Sequence, residues 1–161
     1  MSENNFVLEE LSSDDLSGRY LTFCIGDKSY GVELMHVLDI ISIQTVTRVP
    51  STPHYVKGII NLRGKIVPVI DVRLKFSMEE RAYDERTCII VLNLNDMQVG
   101  LIVDQVSEVL NTDSAEISAL PEFGSVNSSQ FIQSIARSAD KLVIILDCEK
   151  LLQGDITAPH F

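Results

Sequence analysis

Apolar residues along the chain come in short runs broken by glycine, asparagine, aspartate and proline. "RYLTFCIGDKSYGVEL" holds two strand-like runs around Gly26-Asp27, a hairpin signal. "GIINLRGKIVPVIDV" predicts a second hairpin turning at Arg63-Gly64, and "TCIIVLNLNDMQVGLIVD" a third turning at Asn95-Asp96. "FIQSIARSADKLVIILD" predicts a fourth, and "CEKLLQG" a closing helical turn. "ELMHVLDII" and "IVDQVSEVL" suit either period, and each is expected to be a brief helical turn running into a strand. Between these elements lie a Pro-punctuated loop, "TRVPSTPHYVKG", and a charged linker, "SMEERAYDER". A long polar surface loop, "NTDSAEISALPEFGSVNSSQ", follows the third hairpin. About ten short strands with little helix is the pattern of a β-sandwich or barrel.

One of these strands, "KIVPVID", carries Pro68 in its middle. Proline donates no ladder hydrogen bond, so a central strand of a flat sheet is excluded. Barrel strands bend, and a proline fits where the strand bulges or faces away from a ladder partner.

The strands also repeat. "YGVELMHVLDI" aligns with "VGLIVDQVSEV": Gly31 meets Gly100, Val37 meets Val106, and Asp39 meets Glu108. "KIVPVID" aligns with "KLVIILD", matching Lys65 to Lys141 and Asp71 to Asp147. Two matches in the same order indicate a duplicated half. A half of about 65 residues buries only about 60% of its unfolded surface and is marginal alone. The two halves are therefore expected to share an apolar seam and fold as one unit.

Composition narrows the function. A net charge of −10 argues against a nucleic-acid partner. No apolar run approaches the ~20 residues of a membrane helix, and no signal peptide opens the chain, so it is expected to stay in the cytoplasm without inserting in a membrane. Cys24, Cys88 and Cys148 are scattered among apolar neighbours and read as small buried hydrophobes. Residues 1–18 hold five acidic side chains, no basic one and too little apolar material for a core; they read as a mobile tail.

No catalytic constellation emerges. Five residues separate Gly58 from Gly64, where a phosphate loop needs four. His36, His54 and His160 lack zinc-site companions, and "GSVNSS" is not a nucleophile elbow. The acid pair Glu79-Glu80 reads as solvated. No metal and no cofactor are expected. What remains is an interaction surface, with Arg63 at a hairpin tip.

"VKGIINLRGKIVPVIDVRLKF" resembles the signature segment of the CheW family, the coupling proteins of bacterial chemotaxis. "GDKSYGVELMHVLDI", "VLNLNDMQVGLIVDQVSEVL", "LPEF" and "DKLVIILDCEKLL" follow in family order, so the resemblance covers about residues 18–153. It implies an all-β fold of two intertwined five-stranded SH3-like barrels sharing an apolar seam, with short helical turns. The organisation would be an acidic tail over 1–18, a CheW-like domain over 19–154 and a short tail over 155–161. The first barrel would span about 19–80 and the second about 81–154, with strands exchanged between them.

The resemblance further implies a non-enzymatic adaptor linking the cytoplasmic tip of methyl-accepting chemoreceptors to the regulatory domain of the histidine kinase CheA. The first barrel would dock the kinase domain and the groove between barrels would receive the receptor tip. The protein would be a monomer outside the membrane-associated receptor arrays to which it is recruited. The implied binding residues are Val37, Asp39, Ile40, Gly58, Asn61, Leu62, Arg63, Cys88, Val106 and Val109. Asp39 stands where the family usually has Glu, and Cys88 where Val is common. Asp39 is the expected partner of Arg63. Two other assignments fit the same residues: the CheW-like module of a CheV-type protein lacking its receiver, and a small-molecule-binding barrel. The second would need a pocket with convergent polar groups.

Removing residues 1–18 should leave thermal stability and kinase-domain affinity within about 1 kcal/mol of the intact chain, checked by melting curves and titration. A larger loss would mean that the tail docks.

Overall fold

The computed structural model describes residues 18–111, 116–118 and 131–152. The tails expected over 1–18 (apart from Gly18) and over 155–161 lie outside them, as does most of the long polar loop. The described chain forms β1 (Arg19–Ile25), β2 (Lys28–Glu33), β3 (Val37–Ser42), β4 (Val56–Leu62) and β5 (Lys65–Asp71). After a helical turn α1 (Val72–Lys75) come β6 (Cys88–Leu94), β7 (Met97–Val103), β8 (Gln105–Asn111) and β9 (Glu116–Ser118). β10 (Ile132–Ser138), β11 (Lys141–Leu146) and a helical turn α2 (Cys148–Leu152) complete it.

The first three hairpins turn at the residues the sequence marks, and the fourth, expected without a turn position, turns at Ala139-Asp140. At two of them both turn residues are left-handed: Arg63 and Gly64 (φ 53° and 86°) and Asn95 and Asp96 (φ 52° and 66°). That backbone matches the right-handed twist of the flanking strands. "ELMHVLDII" is a 3₁₀ turn over Leu34–His36 running into β3, as expected. "IVDQVSEVL" differs. Asp104 alone bends the chain between β7 and β8, with no helical turn.

The strands form two sheets, ordered β8-β1-β2-β11-β10-β9 and β3-β6-β7-β5-β4. The repeat explains this order. Moved along the chain, β1, β2 and β3 become β6, β7 and β8, while β4 and β5 become β10 and β11. The five-stranded order then reproduces the first five strands of the other sheet. Parallel contacts agree: Val69 pairs with Gly100 in one sheet and Ile145 with Gly31 in the other. The β-bulges agree too. β3 carries its extra residue between Val37 and Asp39, and β8 carries its own between Val106 and Val109, opposite Thr22. β4 is bulged between Val56 and Gly58, and β10 between Ile132 and Ser134. Each sheet thus takes strands from both copies.

Each sheet curls until its ends meet. Thr47, beyond β3, exchanges both backbone hydrogen bonds with Ile59 of β4 at 2.9 and 2.8 Å. β9, beyond β8, pairs with β10 in the other sheet. Pro68 fits this arrangement. Its ladder partner Ile59 turns both backbone groups outward to Thr47, so the Pro68 nitrogen faces away from β4. Pairing with β7 starts one residue later, at Val69. The proline is therefore accommodated by facing away from its ladder partner, and the bulge lies elsewhere in β4.

Three apolar clusters result. Ile60, Val67, Val69, Ile89, Val91 and Ile102 fill one barrel, and Tyr20, Leu110, Ala136, Val143 and Ile145 fill the other. The largest joins the barrels: Leu21, Phe23, Ile25 and Val32 of one sheet meet Ile70, Ile90, Leu92 and Leu101 of the other, covered by Val72, Leu151 and Leu152 of the helical turns. This seam has 19 buried residues against six and five in the barrels, so most of the burial spans both sheets.

Polar fasteners tie the helical turns and the linker to this core, and one of them joins the two sheets. Asp71 is buried, caps α1 by accepting the Leu74 N–H at 3.4 Å, and accepts the Tyr83 hydroxyl at 2.7 Å. Asp147, its counterpart in the repeat, caps α2 through the Lys150 N–H at 3.1 Å. Asp104, largely buried, accepts Arg73 Nε and Nη2 at 2.9 and 2.7 Å, Arg81 Nη1 at 3.0 Å and the Gly26 N–H at 2.7 Å. The segment expected as a solvated linker is exposed over 79–86, and it is also tied down at points: Arg81 binds Asp104, Tyr83 binds Asp71, and Glu80 meets Lys57 at 2.9 Å. Of the acid pair, Glu80 is ion-paired and the Glu79 carbonyl accepts from Arg73. The partners come from elements remote in sequence, which is why the charged run alone did not reveal them.

Two outcomes follow from this packing. Probes placed in each sheet should report one coincident thermal and one coincident denaturant transition, because the main core belongs to neither sheet; two resolved transitions would refute a shared core. The second concerns acid. Burial alone would raise the Asp104 carboxyl, but the Arg73 and Gly26 hydrogen bonds and the charges of Arg73 and Arg81 outweigh it and hold it below the usual range. The unfolded chain then binds the extra proton first, so this stabilisation is complete above the free-carboxylate value of about 4 and is lost as pH falls below it. Asp104→Asn should narrow its stability gap to the unaltered chain as pH drops from 6 towards 3, read from denaturant midpoints.

Candidate functional interface

The β4–β5 hairpin ends in Asn61-Leu62-Arg63-Gly64. Asn61 Oδ1 accepts the Gly64 N–H at 3.0 Å and fastens the turn. Leu62 packs on the interior cluster of that barrel. Arg63 is 75% exposed, and its Nη2 lies 2.9 Å from Asp39 Oδ2. β4 and β3 are opposite edges of the five-stranded sheet, so this ion pair spans the closure of the barrel. The Asp39 side chain is 25% exposed, and its Oδ1 accepts the Ile40 N–H at 2.8 Å. The expected Arg63–Asp39 partnership is thus present, and the shorter Asp39 still reaches the guanidinium.

Ile40, Cys88, Val106 and Val109 are all partly exposed and all pack on the seam cluster. They come from β3 and β6 in one sheet and from β8 in the other. Cys88 opens β6, pairs with Ser42 of β3, and its thiol donates to the Arg86 carbonyl at 3.3 Å. Burial raises this thiol above its ordinary value, against the opposing influence of the Val106 backbone nearby. The thiol is therefore protonated at neutral pH and acts as an apolar surface.

Two residues sit deeper. Val37 is buried in the seam. Gly58 is buried beneath the strap that closes the barrel, with φ +145°, and a Cβ there would meet the Thr47 carbonyl oxygen far inside contact distance. It allows the closing strand to approach and is not at the groove surface.

Of the ten predicted residues, Asp39, Asn61 and Arg63 form the ion pair and its turn, Ile40, Cys88, Val106 and Val109 lie on the seam cluster from both sheets, and Val37, Gly58 and Leu62 pack inward at three separate places. Sequence reading missed the parts that hold β8. Thr22 Oγ1 donates to the Glu108 carbonyl at 2.7 Å and accepts the Glu108 N–H at 3.0 Å, closing the bulge between Val106 and Val109. A threonine in the middle of a hydrophobic strand was the available signal. Both strands bordering the rim, β3 and β8, are sheet edges blunted by these bulges, which discourages pairing with foreign strands.

The arrangement offers an apolar contact surface beside one exposed guanidinium. Among the described residues, no group of His, Cys, Asp and Glu could hold a metal ion, and no helix is long and apolar enough to cross a membrane.

Comparison with known proteins agrees with this architecture. Residues 19–155 match the model of the CheW-like domain. The chain is 36% identical to chemotaxis protein CheW of Klebsiella aerogenes over 149 residues, 92% of this chain and 90% of that one. With chemotaxis protein CheW of Helicobacter pylori it shares 34% identity over 137 residues, 85% and 82% of the two chains. The crystal structure of the scaffolding protein TtCheW from Thermoanaerobacter tengcongensis superposes with a TM-score of 0.76 at 30% identity, covering 89% of this chain and 97% of that one. Matched to that family over most of its length and 36% identical to a member, the chain belongs to the CheW-like family.

Proposed function

We propose that the protein is a non-catalytic chemotaxis adaptor that couples the cytoplasmic tip of a chemoreceptor to the regulatory domain of the histidine kinase CheA. The observation that carries this reading is the rim: Ile40, Cys88, Val106 and Val109, from both sheets, stand beside the Arg63–Asp39 pair. An aliphatic groove of this kind suits the apolar face of a receptor helix. A planar guanidinium at its border can also engage a carboxylate or a helix-end carbonyl. The matched relatives named as chemotaxis proteins, and the neighbour named as a scaffolding protein, support the same role. Each contact is small and transient, below about 1,200 Å², and the strength comes from repetition in an array. Working at the membrane, the adaptor is held there by its partners.

Arg63 is the residue to test. With Arg63 so exposed, its pair with Asp39 contributes only about 0–1 kcal/mol to stability. Arg63→Ala should therefore abolish most receptor-stimulated kinase activity while the melting curve stays near that of the unaltered chain. Arg63→Lys should rescue poorly, since lysine keeps the charge but lacks the planar fork. Unchanged coupling in Arg63→Ala would overturn the role of Arg63; unfolding of that variant would make the arginine structural.

A further inference from the structure

Asp104 occupies the single residue in which the chain leaves the five-stranded sheet at Val103 and enters the other sheet at Gln105. Its carboxylate is held from both sides of that crossing. The Gly26 N–H comes from the β1–β2 turn of one sheet, while Arg73 comes from α1, at the end of β5 in the other. Arg81 adds a donor from the strap joining the two halves. Asp104 and Arg73 are about 13% and 15% exposed, so the pair is shielded from solvent screening.

The other crossing, from β2 to β3, lacks this device. The repeat places Met35 where Asp104 stands and Glu149 where Arg73 stands, residues that cannot form the pair. That corner is bridged by a 3₁₀ turn and a His36–Glu33 contact at 3.4 Å, with both side chains about a third exposed. A generic need of the fold would act at both corners. Among the described residues, only the corner that starts β8 carries such a clamp, and two and five residues further on are Val106 and Val109.

We propose that Asp104 is a positioning residue for the groove: it fixes the direction in which β8 crosses between the sheets, so that Val106 and Val109 face Ile40 and Cys88. It does not contact the receptor. Arg73 supplies the rigid bidentate half of the clamp, and Arg81 the adjustable half. The Thr22–Glu108 bonds then hold the bulge in the strand that Asp104 has aimed.

This inference rests on the groove being the receptor site, and the test separates the two. The full chain and its Asp104→Asn, Arg81→Ala and Arg63→Ala variants are titrated with a receptor hairpin-tip fragment and, separately, with the kinase regulatory domain. Asp104→Asn should weaken receptor binding about tenfold and Arg81→Ala about threefold, with kinase-domain affinity within about twofold for both. In amide spectra, Val106 and Val109 should shift while Ile60 and Val67, inside the barrel, stay in place. If the unaltered chain fails to bind the receptor fragment, the groove reading falls and this inference with it. If it binds, Arg63→Ala loses binding and Asp104→Asn binds normally, the inference alone is overturned. Parallel loss of both partners also overturns it, since Asp104 would then serve only the fold. Should Asp104→Asn not fold, Arg81→Ala decides, because it leaves the Arg73–Asp104 fork intact: selective receptor loss supports the clamp, and wild-type binding overturns it.

Discussion

Neither copy of the repeat can satisfy its own sheet edges, and the rest of the molecule depends on that constraint. The β1–β2 hairpin finds its neighbours in β8 and β11, both from the second copy. The β6–β7 hairpin finds its own in β3 and β5, both from the first. Unpaired backbone donors and acceptors are costly when buried, so the exchange of strands is obligatory once the hairpins pack. It also forces the chain to cross between sheets twice, at Leu34–His36 and at Asp104, and these crossings bring β3 and β8 to the border of the seam.

From that constraint the interface follows. Two edge strands are brought together, each interrupted by a bulge at the same place in the repeat. The bulges leave Asp39 free to meet Arg63 on one side and place Val106 and Val109 on the other. The proposed contact residues Ile40, Cys88, Val106 and Val109 pack on the largest apolar cluster, so the proposed surface is a rim of the main core. Such a surface is rigid, because moving it would disturb close-packed side chains in both barrels. The charged groups are arranged around this rim: one exposed ion pair at its border and one shielded cluster behind β8.

The two ionic sites illustrate how burial sets the role of a charge. Arg63 sits in water against a partly covered Asp39, so their attraction is screened and the guanidinium remains available to a partner. Asp104 is surrounded by donors and largely dry, where neutralising it removes the ion-pair partner of the shielded Arg73. The first site is suited to recognition and the second to holding a shape.

Much of this was legible in the sequence because it is local or periodic. Turn residues located three hairpins, short apolar runs marked the strands, and the matching Gly31/Gly100 and Asp71/Asp147 exposed the duplication. The candidate binding positions, the "NLRG" tip and the aliphatics of β3 and β8, came from the family resemblance, as did the pairing of Asp39 with Arg63, which the structure brings to 2.9 Å. What depended on tertiary structure was set by contacts between segments remote along the chain. The linker's charges became a strap because Asp104 and Asp71 lie behind it, and Gly58 became a closure point because Thr47 returns across it. "IVDQVSEVL" needed no helical turn because four donors hold Asp104. Periodicity carries no information about such partners: a carboxylate's role is decided by which donors the folded chain brings within about 3 Å and by how much water remains there.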